Sequence, residues 1–516
     1  MNKTYFMGVD VGTTTTKAIV FSVEGEAKGI GNKGYDIISP KPSWAEQDPK
    51  KIFGAVLAAV CDAIEKAGVS SQEIAAVGFS AAMHSLLAVD GKGEALTNAI
   101  IWADNRSIEQ AQQLKKDNTG QELYQRSGTP IHPMSPLTKL MWLREHEPEM
   151  LNKAAKLISI KEYIFYQLFE RYVVDYSMAS VTGLFNLRQL NWDAKALATA
   201  GIRREQLSEL VPTTHILRGM KSEYAAAMGL NADTPIVIGA SDGVLANLGV
   251  GAIKPHQVAV TVGTSGAIRS LVDAPLTDPQ GRTFCYPLTE KYWAIGGASN
   301  NGGIVLRWFR DRFSDREIEQ AKLEGLDPYE VMIREASQVS AGAEGLICLP
   351  FLSGERAPYW DANARGVFFG IGQHHTRSHF IRAVLEGIVF SMYNIYAALR
   401  ELAGETESIL VSGGFARSEL WRQMMADVFE QEVLLPEVYE ASSFGAAILA
   451  MYAVGAIKEL TEVEDMIHIT QRHQPDASLC KTYGDLFPIY KRLYANLVEE
   501  FSAIADYQRR SAESQD

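Results

Sequence analysis

One short pattern occurs twice in this chain, roughly 250 residues apart: an apolar strand, a bend that carries Gly-Thr, and a second strand. In the first copy, residues 5–10 have strand character, Val11-Gly12-Thr13-Thr14 interrupts them, and residues 17–21 resume. In the second copy, residues 257–262 run into Gly263-Thr264-Ser265-Gly266, and residues 267–272 follow. A repeat of this kind predicts two related α/β domains. A chain of 516 residues is also too long for one compact core. The junction is placed just after the apolar strand 234–240, which gives domains 1–250 and 251–516.

The intervening sequence supplies helices and further strands. Asp48-Pro49 is an N-cap with proline at the first helical position, and Ile52, Val56, Ala59, Val60 and Ile64 follow at helical spacing. Residues 74–79 return to strand, as do 408–411 ahead of Gly413-Gly414. Helices are expected over 379–399, over 444–454 with Ser442 or Ser443 as cap and Gly455 as stop, and over 483–507.

The net charge of −13 argues against nucleic-acid or anionic-membrane partners. It also means that any anionic substrate must be held by a metal and a few local donors. No apolar run reaches the ~18–20 residues of a membrane helix, and the N-terminus lacks the pattern of a secretory signal. The four cysteines are far apart, without metal or disulfide spacing, as expected for reduced thiols of a cytoplasmic protein.

Several stretches could carry chemistry. Asp10 ends a buried-looking strand beside Gly12-Thr13-Thr14. A glycine bend offers N–H groups and hydroxyls to phosphate oxygens, and a carboxylate beside it suits Mg²⁺. The plain alternative is an Asx-type turn. Asp242, in Gly239-Ala240-Ser241-Asp242-Gly243, is either a site carboxylate or the start of a helix, and the ends of such strands face a crevice in α/β folds. Trp102-Ala103-Asp104-Asn105-Arg106 offers an aromatic wall, a carboxylate, an amide and a guanidinium, a polyol-binding set or else a helix start with Ser107 as cap. Met83-His84 closes the 74–79 strand. His132 lies in a loop stiffened by Pro130, Pro133 and Pro136.

Together these motifs resemble the carbohydrate-kinase family known by its Phe-Gly-Gly-Tyr signature, within the actin-like ATPase superfamily. Asp10-Val-Gly-Thr-Thr14 resembles its first phosphate motif, Gly263-Thr264-Ser265 its second, Gly413-Gly414 its adenosine motif, and residues 239–243 the segment with the catalytic aspartate. Ser80-Ala-Ala-Met-His-Ser85, Trp102-Ala-Asp-Asn-Arg106, Gly128-Thr-Pro-Ile-His-Pro-Met134, Asn300-Asn-Gly-Gly-Ile304 and Gly354-Glu-Arg-Ala-Pro358 resemble the family's gluconate kinases more fully than its xylulose kinases.

The resemblance implies an α/β fold of two RNase H-like domains flanking a nucleotide and sugar cleft. It implies ATP and Mg²⁺, transfer of phosphate to D-gluconate, and Asp242 as catalytic base. Met83, His84, Trp102, Asp104, Arg106, His132 and Asp242 would bind the sugar. Thr13, Thr14, Thr264, Gly303, Gly414 and Ser418 would bind nucleotide, and Asp10 the metal. For the gluconate carboxylate, Arg106 is the first expectation, with His84, His132 and Lys139 as helpers. Arg307 departs from a neutral amide found in some relatives. A kinase of a neutral sugar or polyol (xylulose, ribulose, glycerol) and, more remotely, an actin-like ATPase without a sugar substrate remain alternatives. The oligomeric state is left open, with a homodimer as one assembly.

Overall fold

The computed structural model describes residues 4–438 and 440–513. Its chain divides into two compact units, both discontinuous in sequence. The first contains Met1–Pro255, Ser270–Ile295 and Glu437–His468; the second contains His256–Arg269, Gly296–Pro436 and Ile469–Asp516.

The first unit is built on a six-stranded sheet, in the order Ile216–Leu217, Ile236–Ser241, Ile74–Ala81, Tyr5–Val11, Thr15–Ser22 and Ala27–Gly34. Tyr5–Val11 and Thr15–Ser22 form the expected antiparallel hairpin. Ile74–Ala81 runs parallel to Tyr5–Val11 on one side and to Ile236–Ser241 on the other. Ala81 pairs with both Val11 and Ser241, so the three parallel strands end at one level. This is the order of an RNase H-like core. Helix Pro49–Ala67 forms as expected, and Asp48 caps it by accepting from the Lys50 amide at 2.8 Å.

A single cut near residue 250 does not describe this unit, because helix Ala441–Ala453 returns to it. That helix is buried from Ser443 to Met451 and shares a core with Phe6, Ile19, Ala76, Val237 and Leu245. Its backbone lies so close to the sheet that a Cβ at Gly8 would collide with the Ser443 carbonyl, and one at Gly78 with the Ala446 carbonyl. Glycine is required there by proximity. The helix starts earlier than expected, at Ala441, and neither serine caps it. Ser442 donates its hydroxyl to the Asp242 carbonyl at 3.1 Å, and Ser443 is buried.

In the second unit, Gln257–Val262, Ser408–Ser412 and Val433–Pro436 are parallel neighbours, and Ile469–His473 adds an antiparallel edge. Helix Arg377–Ala403 is buried along most of its length, and Phe390 meets Tyr483, Phe487 and Tyr490 of the terminal helix Ala477–Glu513. Among the described residues, no helix is long and apolar enough to cross a membrane.

Candidate active site

In the first unit the parallel strands deliver their chemistry at their C-terminal ends, where α/β sheets form crevices. Asp10 stands opposite Ser80 and accepts its hydroxyl at 2.6 Å. Asp242 follows Ser241 directly and opens helix Asp242–Gly249. It is both things its sequence context allowed, a first-turn residue and a carboxylate at the strand ends. Lys161 braces the strand beneath it, donating to Asp175 at 2.8 Å and to the Ala240 carbonyl at 3.1 Å. Burial raises the Asp10 carboxyl to about 7, the Asp242 charge adds to the rise, and the Ser80 hydroxyl opposes it. A buried carboxyl whose anionic form is opposed by a neighbouring carboxylate belongs to a donor set that a divalent cation relieves. Among the described residues no cluster of three or more His, Cys, Asp or Glu is arranged to hold a metal. A cation here would therefore rely on these carboxylates and on substrate phosphates, which suits Mg²⁺.

The bend after Asp10 is tied into the same region. The Thr13 carbonyl accepts from the Gln47 side chain, its hydroxyl accepts from the Trp102 indole at 2.9 Å, and Tyr35 donates to the Gly12 carbonyl at 2.6 Å. Thr14 is exposed at the tip.

The remaining acceptor-side candidates divide sharply. Met83 is partly buried against the core. His84 is buried with a left-handed φ of 64°, and its Nδ1 donates to the Val181 carbonyl at 2.7 Å. His132 is buried and accepts the Met134 amide at 3.2 Å through Nδ1. Asp104 is fully buried, and both its oxygens are used locally: Oδ2 by the Ala45 amide at 2.7 Å, Oδ1 by the Arg106 amide at 3.0 Å.

Arg106 is engaged in the same knot. Its Nε and Nη2 donate to Asp104 at 2.9 and 2.8 Å, Nη2 also reaches Glu46 at 2.6 Å, and the guanidinium lies 3.7 Å from the Trp44 ring centre. This side chain is 4 % exposed. A guanidinium with two carboxylate partners has little positive charge left for a third, so Arg106 reads as a support for the Trp102 stretch. Lys139 is wholly buried and donates to the carbonyls of His84 and Ile101, both at 2.8 Å. Burial lowers its ammonium to about 7.

In the second unit, four sequence-distant candidates come together. Thr264, Gly303, Gly414 and Ser418 line one cavity of about 860 Å³, with Ile304, Tyr329, Ile333, Phe415 and Trp421 among its walls. The Gly303 amide bonds the Gly263 carbonyl at 2.7 Å and the Ile304 amide bonds the Thr264 carbonyl at 3.1 Å, which fastens helix Gly303–Phe313 to the bend. Gly414 faces open space, and Gly413, at φ 94°, passes close against the Val262 backbone. The Ser418 hydroxyl caps helix Glu419–Phe429 by accepting the Trp421 amide at 3.2 Å. Arg307 is exposed and lines the cavity.

Sequence reasoning missed Ser80, Lys161, Tyr35 and the wall supplied by helix Pro328–Ser337. Only the helix had a legible signal, the Asp327-Pro328 cap, and that signal marks a helix start without saying what it faces.

The chain as a whole has known relatives. Residues 5–249 match the N-terminal domain, and residues 258–454 the C-terminal domain, of the FGGY family of carbohydrate kinases. The chain belongs to that family. It is 50 % identical over 506 residues to the gluconokinase of Bacillus subtilis (strain 168), covering 98 % of each chain. A solved gluconate kinase from Lactobacillus acidophilus is 38 % identical with a TM-score of 0.91, over 97 % of this chain and 99 % of that one. A ligand-bound xylulose kinase from the same organism gives the same identity, coverage and TM-score. The mixed α/β, two-domain kinase fold is thereby established for this FGGY-family chain.

Proposed function

We propose that this chain transfers the γ-phosphoryl group of ATP to the 6-hydroxyl of D-gluconate, giving 6-phospho-D-gluconate and ADP. The observation that carries the kinase chemistry is the placement of Asp242 at the C-terminal end of three parallel strands, coupled to Asp10. The choice of gluconate rests on the 50 % identity to a gluconokinase over nearly the full length.

A primary alcohol does not ionise at neutral pH, and a carboxylate of pKa ~4 cannot strip it in the ground state. Asp242 therefore orients the hydroxyl and takes its proton late, as the bond to phosphorus forms. In a loose transition state, positioning and charge neutralisation supply most of the acceleration. Asp10 would hold Mg²⁺, which when bound neutralises charge on the phosphate oxygens. Thr13 and Thr14 offer N–H and hydroxyl donors on the first unit, as Thr264 does on the second. The cavity lined by Gly303, Gly414 and Ser418 suits a nucleoside: it has aromatic and aliphatic walls, a glycine opening and flanking arginines.

One observation favours a second reading, a neutral ketose such as xylulose as acceptor. Arg106, the cation first expected to meet the gluconate carboxylate, is already paired with Asp104 and Glu46. The test is ADP release from ATP and Mg²⁺ with D-gluconate, D-xylulose, L-ribulose, glycerol or no acceptor. Turnover with gluconate alone is expected. Turnover with a neutral sugar would replace gluconate and keep Asp242, and equal turnover in every well would sink the kinase reading.

A further inference from the structure

We infer that Lys139 is a positioning residue for the acceptor side of the site, fixing His84 and Trp102 by holding the main-chain carbonyls at and beside them. This rests on the reading of His84 and Trp102 as acceptor contacts.

Lys139 lies in the first turns of helix Pro136–His146, which is buried from Pro136 to Leu143. Its Nζ donates to the His84 carbonyl and to the Ile101 carbonyl, each at 2.8 Å. The first oxygen belongs to one stretch of acceptor candidates, 83–84, and the second immediately precedes the other, 102–106. Neither stretch is held by a long strand at that point: Ile74–Ala81 has ended, and Ala99–Ile100 is only a two-residue strand. The backbone pairing between them is one bridge, Leu86 with Ile100 at 2.9 and 2.8 Å, which lies two residues beyond His84 and two before Trp102.

His84 shows what the fixing achieves. Its left-handed φ of 64° is strained in a residue with a Cβ and persists only where its surroundings impose it. Lys139 holds the main chain of His84 while the Val181 carbonyl holds its ring. On the other side, the Ile101 carbonyl leads directly into Trp102, whose indole is held by Thr13. One side chain thus fixes the main chain on both walls, next to the Leu86–Ile100 backbone pair that joins them.

The arrangement is expensive. Among the described residues, no carboxylate forms an ion pair with Lys139, which is fully buried. Burial lowers its ammonium to about 7 against the attraction of the Asp104 charge, so the group is a poor device for stability, and an apolar side chain would fill the same space at lower cost. Ammonium is justified there by geometry, since its tetrahedral donors reach two carbonyls at once.

The experiment uses Lys139→Met and Lys139→Gln in the full-length enzyme, with whichever acceptor the wild type turns over in the panel above. The acceptor reading is thereby settled on the wild type, separately from this test. KM for acceptor and for ATP, kcat, and the denaturation midpoint are measured. Lys139→Met is expected to raise the acceptor KM at least tenfold, to change the ATP KM less than twofold, and to keep or raise the midpoint. Lys139→Gln, which retains two N–H donors on a shorter stem, should fall between the two. An acceptor KM within twofold of wild type in Lys139→Met would overturn the inference. So would a parallel rise of both KM values, or failure of both variants to fold, since either would make the ammonium a stability element.

Discussion

The indole of Trp102 donates to the hydroxyl of Thr13 at 2.9 Å, joining an acceptor wall to the bend that follows Asp10. If this bond is used in catalysis, Trp102→Phe and Thr13→Val remove the same interaction. The double variant should then be less impaired in kcat/KM than the product of the singles by about fivefold, or ~1 kcal/mol of coupling. Strictly multiplicative effects would show that the bond contributes nothing to turnover.

Asp242→Asn keeps the size and the first-turn position of the side chain but removes its basicity. A loss of about 10²–10⁴ in kcat is expected, the usual worth of a positioned base, with the ATP KM near the wild-type value. Steady-state kinetics with both substrates varied would decide this. A variant with more than a tenth of wild-type kcat would mean that Asp242 does not take the proton.

Arg106 is buried between two carboxylates and an aromatic face. Its removal leaves the fully buried Asp104 without its cation, so Arg106→Ala should lose about 3–5 kcal/mol of stability in chemical denaturation. In the folded fraction, its KM should rise alike for gluconate and for a neutral polyol. A rise confined to gluconate would restore Arg106 as the carboxylate ligand.

Gly414 opens on the second unit's cavity with nothing within reach of a Cβ. Gly414→Val should fill that opening, raising the ATP KM at least tenfold while gluconate binding, measured by calorimetry without nucleotide, stays as in wild type. Unchanged ATP affinity would remove this cavity as the nucleoside site.

Glu162 sits in the capping box of helix Ile160–Phe169, accepting the Ser159 amide at 2.6 Å. Burial raises its carboxyl from 4.5 to about 7, against the pull of hydrogen bonds from Ser208 and Ser159. The native state therefore binds the extra proton between those two values. Stability from this group is complete below about 4.5 and is lost as pH rises through about 7. Glu162→Gln carries no such charge. Its stability relative to wild type should improve steadily from about pH 5 to about pH 8, as read by urea denaturation across that range.

What could be read in the sequence was local and periodic. The Asp48-Pro49 cap and the Gly12 and Gly263 bends follow from side chains near one another in the chain. So does the position of Asp242 after an apolar strand, because a buried parallel strand is a near-continuous apolar run. Arg106 shows where such reading stops. Its role depends on Glu46 and Trp44, some 60 residues away, and no spacing rule links a guanidinium to partners at that distance. Lys139 shows the same limit. It was expected to help bind the substrate carboxylate, and nothing in its neighbours along the chain points to the two distant carbonyls it holds. The return of residues 437–468 to the first unit was likewise invisible, since an apolar helix does not state which sheet it will cover.

That return has a consequence for how the protein is made. A ribosome adding ~5–20 residues per second delivers the helix at Ala441 roughly 200 residues, or about 10–40 s, after the strand that ends at Ser241. Throughout that interval the sheet around Gly8 and Gly78, and the neighbouring helix at Leu245, have no cover on the area that Ala441–Ala453 will occupy. The last part of the first unit is thus a late arrival, and the nascent chain must keep a bare apolar surface from finding other partners while most of the second unit is still being synthesised.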